Sequence, residues 1–436
     1  MPHADLVIHN IGQLVTCAAG GKPKRGAEML DPGIIENGAV AIRHDRSVPD
    51  GKIVAVGTSA SVLGEYGDAE QINARRQVVT PGFVDPHTHI VYAGNRLNEF
   101  ELKLKGAEYL DILAAGGGIV STVKQTRAQF SDSLVVDGNS RLSKMLACGT
   151  TLCEIKTGYG LDVETELKML RVIFEMAQMH KVEVVPTVLA AHAVPPEFAG
   201  DTVGYVELVC NEILPRAMEY YSSSTHFPNE GVPIFADVFC ERNAFDLAQM
   251  ERVLTAAGSL GFKLKAHVDQ FTNLGGSRLA IKLGATSIDH LDTISDEEIA
   301  LLAASETVGV VIPTENFSAG KTQFANARKV IDEGCAIALS TDYNPGSAPC
   351  PSMPMAMAIA CRYQKLLPSE AMNAATINAS AALGMAKSHG SIEEGKTADL
   401  VIWETDDYRS IAYEFGGNQV RTVLKSGEIV YERDRY

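Results

Sequence analysis

The sequence predicts a parallel (β/α)8 barrel carrying a small β-sandwich built from both chain ends. Three observations carry that prediction. His87-Thr88-His89 directly follows the apolar run 78–84 (VVTPGFV), and an extended HxH presents both imidazoles on one face of a strand end. Far downstream, the run 336–341 (AIALST) ends on Asp342. Between the two, short apolar runs alternate with segments of helical spacing, the rhythm of a parallel barrel. An acidic residue on the last strand closes the same site as an HxH on the first only if the strands form a ring.

At 436 residues the chain has room for one barrel of roughly 250 residues and a smaller unit. The expected division is 1–80 for the N-terminal part of the small β unit, 81–385 for the barrel and 386–436 for the C-terminal part. Residues 4–16, 39–57, 399–403 and 420–432 alternate or cluster β-branched side chains. Turn signals separate them, Pro49-Asp50-Gly51 and Ser426-Gly427 among them. The Gly-, Pro- and Lys-rich stretch 18–37 reads as loop.

In the middle, barrel strands are expected at 83–85, 150–155, 182–191, 234–240, 263–266, 285–289, 307–312 and 336–341. Helices are expected at 163–181, 244–260, 297–304 and 325–333. Ser295 reads as an N-cap, with Asp296, Glu297 and Glu298 in the first turn behind it. Gly261, Gly284 and Gly334 each stand where a helix-ending glycine belongs. Helices at about 352–366 and 368–383 would return the chain to the small unit. Gly116-Gly117-Gly118 reads as a hinge or close-packed turn before Ile119. Met353, Met355 and Met357 read as core residues ahead of a helix.

Bulk properties narrow the function. Apolar residues make up 46%, ordinary for a large core. A formal charge of −16 argues against nucleic acid or an anionic membrane as partner. The eight cysteines are scattered without a CxxC pair, and no leader or membrane-length apolar stretch is evident. A reduced, cytoplasmic protein acting on a small molecule is expected.

Barrel active sites lie at the C-terminal strand ends. There the sequence puts His87 and His89 (first strand), Lys156 (second), His192 (third), Glu241 (fourth), His267 (fifth), His290 (sixth) and Asp342 (eighth). Five of the eleven histidines fall on these ends. His87, His89, His267 and Asp342 are read as metal ligands. Three neutral imidazoles and a carboxylate suit Zn2+ or Fe2+ with a water completing the set, and such an ion lowers that water's pKa toward ~7. Binuclear barrels of this type use a carboxylated lysine on the fourth strand, which here ends in Cys240-Glu241. One ion per subunit is therefore expected, with Lys156 paired to a carboxylate near the mouth.

The remaining polar groups supply catalysis and recognition. His290 is placed to hydrogen-bond the attacking water or the developing oxyanion. His192, before the rigid Pro195-Pro196 turn, is a candidate for polarising the scissile carbonyl. Arg96, on the loop leaving the first strand, reads as a clamp for a substrate carboxylate. Tyr159, between two glycines, offers a hydroxyl. Asn344, Gly346 and Ser347, just past Asp342, offer an amide, backbone N–H groups and a second hydroxyl.

Taken in order, these residues resemble the imidazolonepropionase family of the amidohydrolase superfamily. The stretches that carry the likeness are 81–96 (PGFVDPHTHIVYAGNR), 109–127, 154–172, 191–198 (AHAVPPEF), 267–276, 287–292, 340–347 (STDYNPGS) and 398–403. The resemblance runs from about residue 5 to 432. It implies His87, His89, His267 and Asp342 as ligands of one zinc or iron ion. It also puts Arg96, Tyr159, His192, Gln270, Asn344, Gly346 and Ser347 at substrate- or product-binding positions. The implied reaction is hydrolysis of 4-imidazolone-5-propanoate to N-formimino-L-glutamate, the third step of histidine degradation, by a homodimer. Gln270 stands where some members carry Glu; an amide takes no proton, so the base is Asp342 or His290. Pro313-Thr314-Glu315-Asn316-Phe317 is more charged than the family leads one to expect, and bears on the ring substituent accepted.

Two other readings compete. One is a different mononuclear amidohydrolase, a cyclic-amide hydrolase or deaminase acting on a small carboxylate-bearing heterocycle. Arg96 with Asn344 and Ser347 discriminates, because a nucleobase deaminase has no need of a carboxylate clamp. The other is a non-catalytic barrel serving as an oligomeric scaffold; such proteins typically lose metal ligands, and here all four are present.

Overall fold

The structure, a computed structural model, describes residues 3–44, 51–106 and 117–433. The Pro49-Asp50 turn, Gly116 and the 109–116 part of the family-like stretch lie outside the described residues. Eight parallel strands follow one another in chain order around the central sheet: Phe83–Asp85, Thr150–Lys156, Glu183–Ala191, Phe235–Cys240, Lys263–Val268, Ser287–His290, Val308–Val311 and Ile337–Leu339. All eight coincide with the expected runs to within a few residues. Thr150–Lys156 is buried at every position, as a sheet covered by helices requires. Register sets the strand ends level: His267 lies opposite Asp289 and Phe239, and Val268 opposite His290 and Cys240.

The first and eighth strands meet through side chains instead of a ladder. Asp85, fully buried, accepts hydrogen bonds from Ser340 Oγ at 2.5 Å, Thr341 N at 3.2 Å and Thr341 Oγ1 at 2.5 Å. Ser340 Oγ also lies 2.8 Å from the His87 carbonyl oxygen. Just past the strands, His89 N donates to Tyr343 O at 3.0 Å. Burial pushes the Asp85 carboxyl up to about 6.

Local sequence accounts for the helices. Val163–Met179 starts at Asp162, whose carboxylate accepts from Thr165 N. Asp296–Ala303 carries the expected Ser295 cap, completed by Glu298 as a reciprocal capping box. Leu247–Leu260 ends on Gly261 at φ 96°, a conformation only glycine adopts freely. The closing helices differ from expectation. Met353–Ile359 widens into a π-turn through Gln364, and Pro368–Ala374 and Ile377–Ala382 are separate because Thr376 leaves helical geometry at φ −130°, ψ −96°. The three methionines lie within the first of these helices. Met353 and Met357, one turn apart, are buried while Met355 is less so.

Both termini build the second sheet. Its strands are Leu6–Val15, Ile34–Arg43, Lys52–Thr58, Glu70–Asn73, Val79–Pro81, Leu400–Trp403, Val420–Lys425 and Glu428–Glu432. Val79–Pro81 joins the two halves, meeting Leu14 on one side and Leu400–Trp403 on the other. Leu6, Ile8, Ile42, Ile53, Leu400 and Leu424 pack in one apolar core between them. The 18–37 stretch is not all loop: it holds a 3-10 turn at Gly26–Leu30 and enters a strand at Ile34. No described helix is long and apolar enough to cross a membrane.

Candidate metal centre and active site

The HxH pair leaves the first strand fully buried. His87 Nδ1 donates to Asp289 Oδ2 at 2.7 Å, so its Nε2 carries a lone pair. That lone pair faces His89 Nε2 at 3.2 Å and Asp342 Oδ1 at 3.7 Å, and His89 Nε2 lies 3.5 Å from the same carboxylate oxygen. Metal–nitrogen bonds of 2.0–2.1 Å at a tetrahedral angle separate two ligand atoms by about 3.3 Å. His267 closes the group from the fifth strand, its ring 4.3 Å from that of His87 and 5.5 Å from that of His89. Its Nε2 is buried without a hydrogen-bond partner, as is His89 Nδ1. Ligand-type atoms gathered this closely, with buried nitrogens left unpartnered, fit a cation. The site is built to hold a metal ion.

Electrostatics agree. Burial, then Lys156 and the neighbouring imidazoles, hold His87 well below the usual histidine range. Burial with His192 and His267 does the same to His89. Neutral imidazole is the form that binds metal. Burial drives the Asp342 carboxyl well above its ordinary value, as expected of a carboxylate that needs a cation beside it.

Beneath the candidate ligands lies a charged layer inside the barrel. Lys156 Nζ sits 2.8 Å from both Glu154 Oε2 and Asp237 Oδ2. Lys265 Nζ sits 3.2 Å from Glu154 Oε2, 3.6 Å from Asp289 Oδ2 and 2.6 Å from the Pro86 carbonyl. All five side chains are fully buried. Lys156 therefore pairs with carboxylates of the barrel interior, deeper than the mouth. Burial opposes ionisation of Asp237, but His267 and Lys156 outweigh it and hold that carboxyl well below the usual range. Asp237 Oδ2 stands 2.9 Å from His267 Nδ1, though bent away from an ideal hydrogen bond. Asp289 and Asp237 thus steady two of the candidate ligands. Sequence reading did not assign these supports. Their signal was a charged residue inside each otherwise apolar buried strand, where charge is rare unless paired.

Around the candidate ligands, His192 stacks on His89 with ring centroids 5.2 Å apart, and Tyr159 lies 5.5 Å from His192 and 6.0 Å from His89. His192 Nδ1 donates to the Gly158 carbonyl at 3.0 Å; burial, then His267, lowers its pKa to about 3. His290 faces His87 and His267 at 5.3 Å from each ring, with Nδ1 unpartnered. Arg96 Nε donates to Thr122 Oγ1 at 2.9 Å. Its guanidinium passes so close to Gly346 that a Cβ there would stand 2.3 Å from NH1.

Not every expected group is free. Asn344 Oδ1 accepts from Gly346 N at 2.7 Å and Ser347 N at 2.8 Å, while Nδ2 donates to Asp342 O at 2.7 Å and Ser347 Oγ at 2.9 Å. Its amide folds the loop. Gln270 lies half-buried beside Phe271 and Thr272, whose N–H groups donate to Glu241 Oε2 at 2.9 and 3.0 Å. Glu241 at the fourth strand end therefore clamps that loop. Glu315 is buried and bonded by Lys321 Nζ at 3.0 Å.

Residues 251–430 match the amidohydrolase family. The chain is 49% identical over 430 residues to the imidazolonepropionase of Chloroflexus aggregans, covering 99% of each. It is 47% identical to that of Herpetosiphon aurantiacus, covering 99% of this chain and 98% of the other. In fold it is similar to an E. coli guanine deaminase, with TM-score 0.71 and 16% identity across 98% of this chain and 99% of that one. A triazine hydrolase variant gives TM-score 0.72 at 16% identity, across 98% and 94%; likeness at such identity speaks to the fold alone. Sequence kinship along the whole chain and a histidine–aspartate centre at the barrel's strand ends agree: the chain belongs to the imidazolonepropionase family.

Proposed function

We propose that the protein hydrolyses 4-imidazolone-5-propanoate to N-formimino-L-glutamate, a carbon–nitrogen bond cleavage in a cyclic amide. The observation that carries the reading is a guanidinium, Arg96, fixed by Thr122 and seated against Gly346, four residues past Asp342. We read it as a carboxylate clamp serving the same active site as His87, His89, His267 and Asp342. One zinc or iron ion held by those four side chains would supply an acidified water at neutral pH.

The chain's own groups do the rest. Water oxygen adds to the ring carbonyl carbon, the adjacent C–N bond breaks, and the departing nitrogen takes up the proton that water released. Asp342 and His290 border the reacting atoms, and either accepts and returns that proton. His192 has committed its Nδ1 proton to Gly158, so as a neutral ring it offers a lone pair at Nε2. That atom suits a ring N–H of the substrate better than the carbonyl first expected for it. Arg96 holds the propionate with Tyr159 beside it, Gln270 and Ser347 complete the pocket rim, and Asn344 and Gly346 shape the wall behind Arg96. The subunit division 1–80, 81–385 and 386–436, a cytoplasmic location and a homodimer accompany this reading on the strength of kinship.

The direct test is turnover of freshly made 4-imidazolone-5-propanoate by the metal-loaded protein, with the product identified by mass and by release of the formimino group. Failure to form N-formimino-L-glutamate, with deamination of a heterocycle in its place, would favour the deaminase alternative.

A further inference from the structure

We propose that Glu166 is a positioning residue for substrate binding: its buried carboxylate holds the 157–161 loop closed, and through that loop sets both Tyr159 and His192. The proposal rests on the reaction assigned above. Glu166 lies in the first turn of helix Val163–Met179 and is 1% exposed. Its Oε1 accepts from Gly160 N at 2.8 Å and Leu161 N at 2.9 Å, and Gly158 N lies 3.2 and 3.1 Å from Oε1 and Oε2. These three N–H groups bracket Tyr159. Among the described residues no basic side chain pairs with the carboxylate; it is held by these loop N–H groups and by the Thr157 side chain.

The loop has little room to adjust. Gly158 has φ +101°, and a Cβ there would stand 2.8 Å from Leu189 O and 2.9 Å from His192 Nδ1. A Cβ on Gly160 would stand 2.6 Å from Glu166 N. The same Gly158 that donates its N–H to Glu166 accepts the His192 Nδ1 proton on its carbonyl. One carboxylate therefore fixes the backbone on both sides of Tyr159 and the carbonyl that takes the His192 Nδ1 proton. Both contacts are made to bound substrate before and during reaction, so their loss belongs in KM more than in kcat.

The test is a double-mutant cycle on metal-loaded protein with Glu166→Gln, Tyr159→Phe and the pair, following KM, kcat, metal content and melting temperature. Glu166→Gln should raise KM about 10-fold, change kcat by less than about 3-fold and leave metal content unchanged. Tyr159→Phe should raise KM as well, and the pair should be within about 2-fold of Glu166→Gln alone, because the second change acts through the first. A parental KM in Glu166→Gln, a loss confined to kcat, or a pair whose KM rise is the product of the singles overturns the proposal. If Glu166→Gln does not fold, Glu166→Asp, which retracts the carboxylate by one methylene, must show the same KM rise; a parental KM there overturns it equally. Turnover by the parent in the same assay separates the two claims. An inactive parent counts against the reaction, whereas an active parent with an indifferent Glu166 variant counts against the clamp alone.

Discussion

At the scale of single residues, the site spends backbone strain and close packing on orientation. His290, Leu291 and Asp342 adopt φ of 87°, 67° and 48°, a region that side chains other than glycine's occupy at a cost of about 1–3 kcal/mol each. Two of them, His290 and Asp342, lie against the histidines of the candidate metal centre. Arg96 is held the opposite way, by absence: glycine at 346 leaves space for its guanidinium. Arg96→Ala should therefore lower kcat/KM by about 30-fold or more (about 2–5 kcal/mol of transition-state binding), mostly through KM, with metal content unchanged. Gly346→Ala should move KM in the same direction without removing any charge. Steady-state kinetics with metal analysis checks both, and equal loss of metal and affinity in Arg96→Ala would refute the clamp.

At the scale of elements, the segment linking the barrel to the C-terminal strands carries a titrating group remote from the metal centre. Burial, then Lys425, lowers the His389 pKa from 6.5 to about 4. Below pH 6.5 the unfolded chain takes up a proton that the folded chain refuses until pH about 4. Folding stability thus falls on acidification through that window, by about 2 kcal/mol between pH 6.5 and 5. His389→Gln should lose less melting temperature than the parent between about pH 7.5 and 5; equal losses would show that His389 is not responsible.

Legibility also varied by element. Strand ends were readable because barrel chemistry concentrates there, and His87, His89, His192, His267, His290 and Asp342 all fell on them. Ser295 and Gly261 announced helix boundaries by local rules alone. What stayed hidden depends on partners distant in sequence. Lys265 and Glu154 are single charges within apolar strands whose purpose emerges only when the ring brings them 3.2 Å apart. Asn344 is the exception: the partners that consume its amide, Gly346 and Ser347, lie only two and three residues on, an Asx-turn pattern that the reading of Asn344 as a free pocket group passed over. The break at Thr376 lies between segments of unbroken helical spacing, so periodicity passed over it.

At the scale of the whole molecule, the barrel's seam and the metal centre share their residues. The ladder runs from the first strand round to the eighth, and Asp85 ties those two by hydroxyl and amide contacts. His87 and His89 emerge on one side of that seam and Asp342 on the other. Stripping the ion with a chelator should lower the melting temperature by several degrees, by the linkage of binding to folding. In hydrogen exchange, 83–92 and 337–345 should open before the far wall of the ring. An unchanged melting curve would mean that the ligand set holds its arrangement unaided.

A cation held there would then serve as a clasp as well as a reagent. A cylinder whose two free margins are fastened at the place where it does its work could not gape there without dropping such an ion. Integrity of the scaffold and competence for hydrolysis would be lost and regained together.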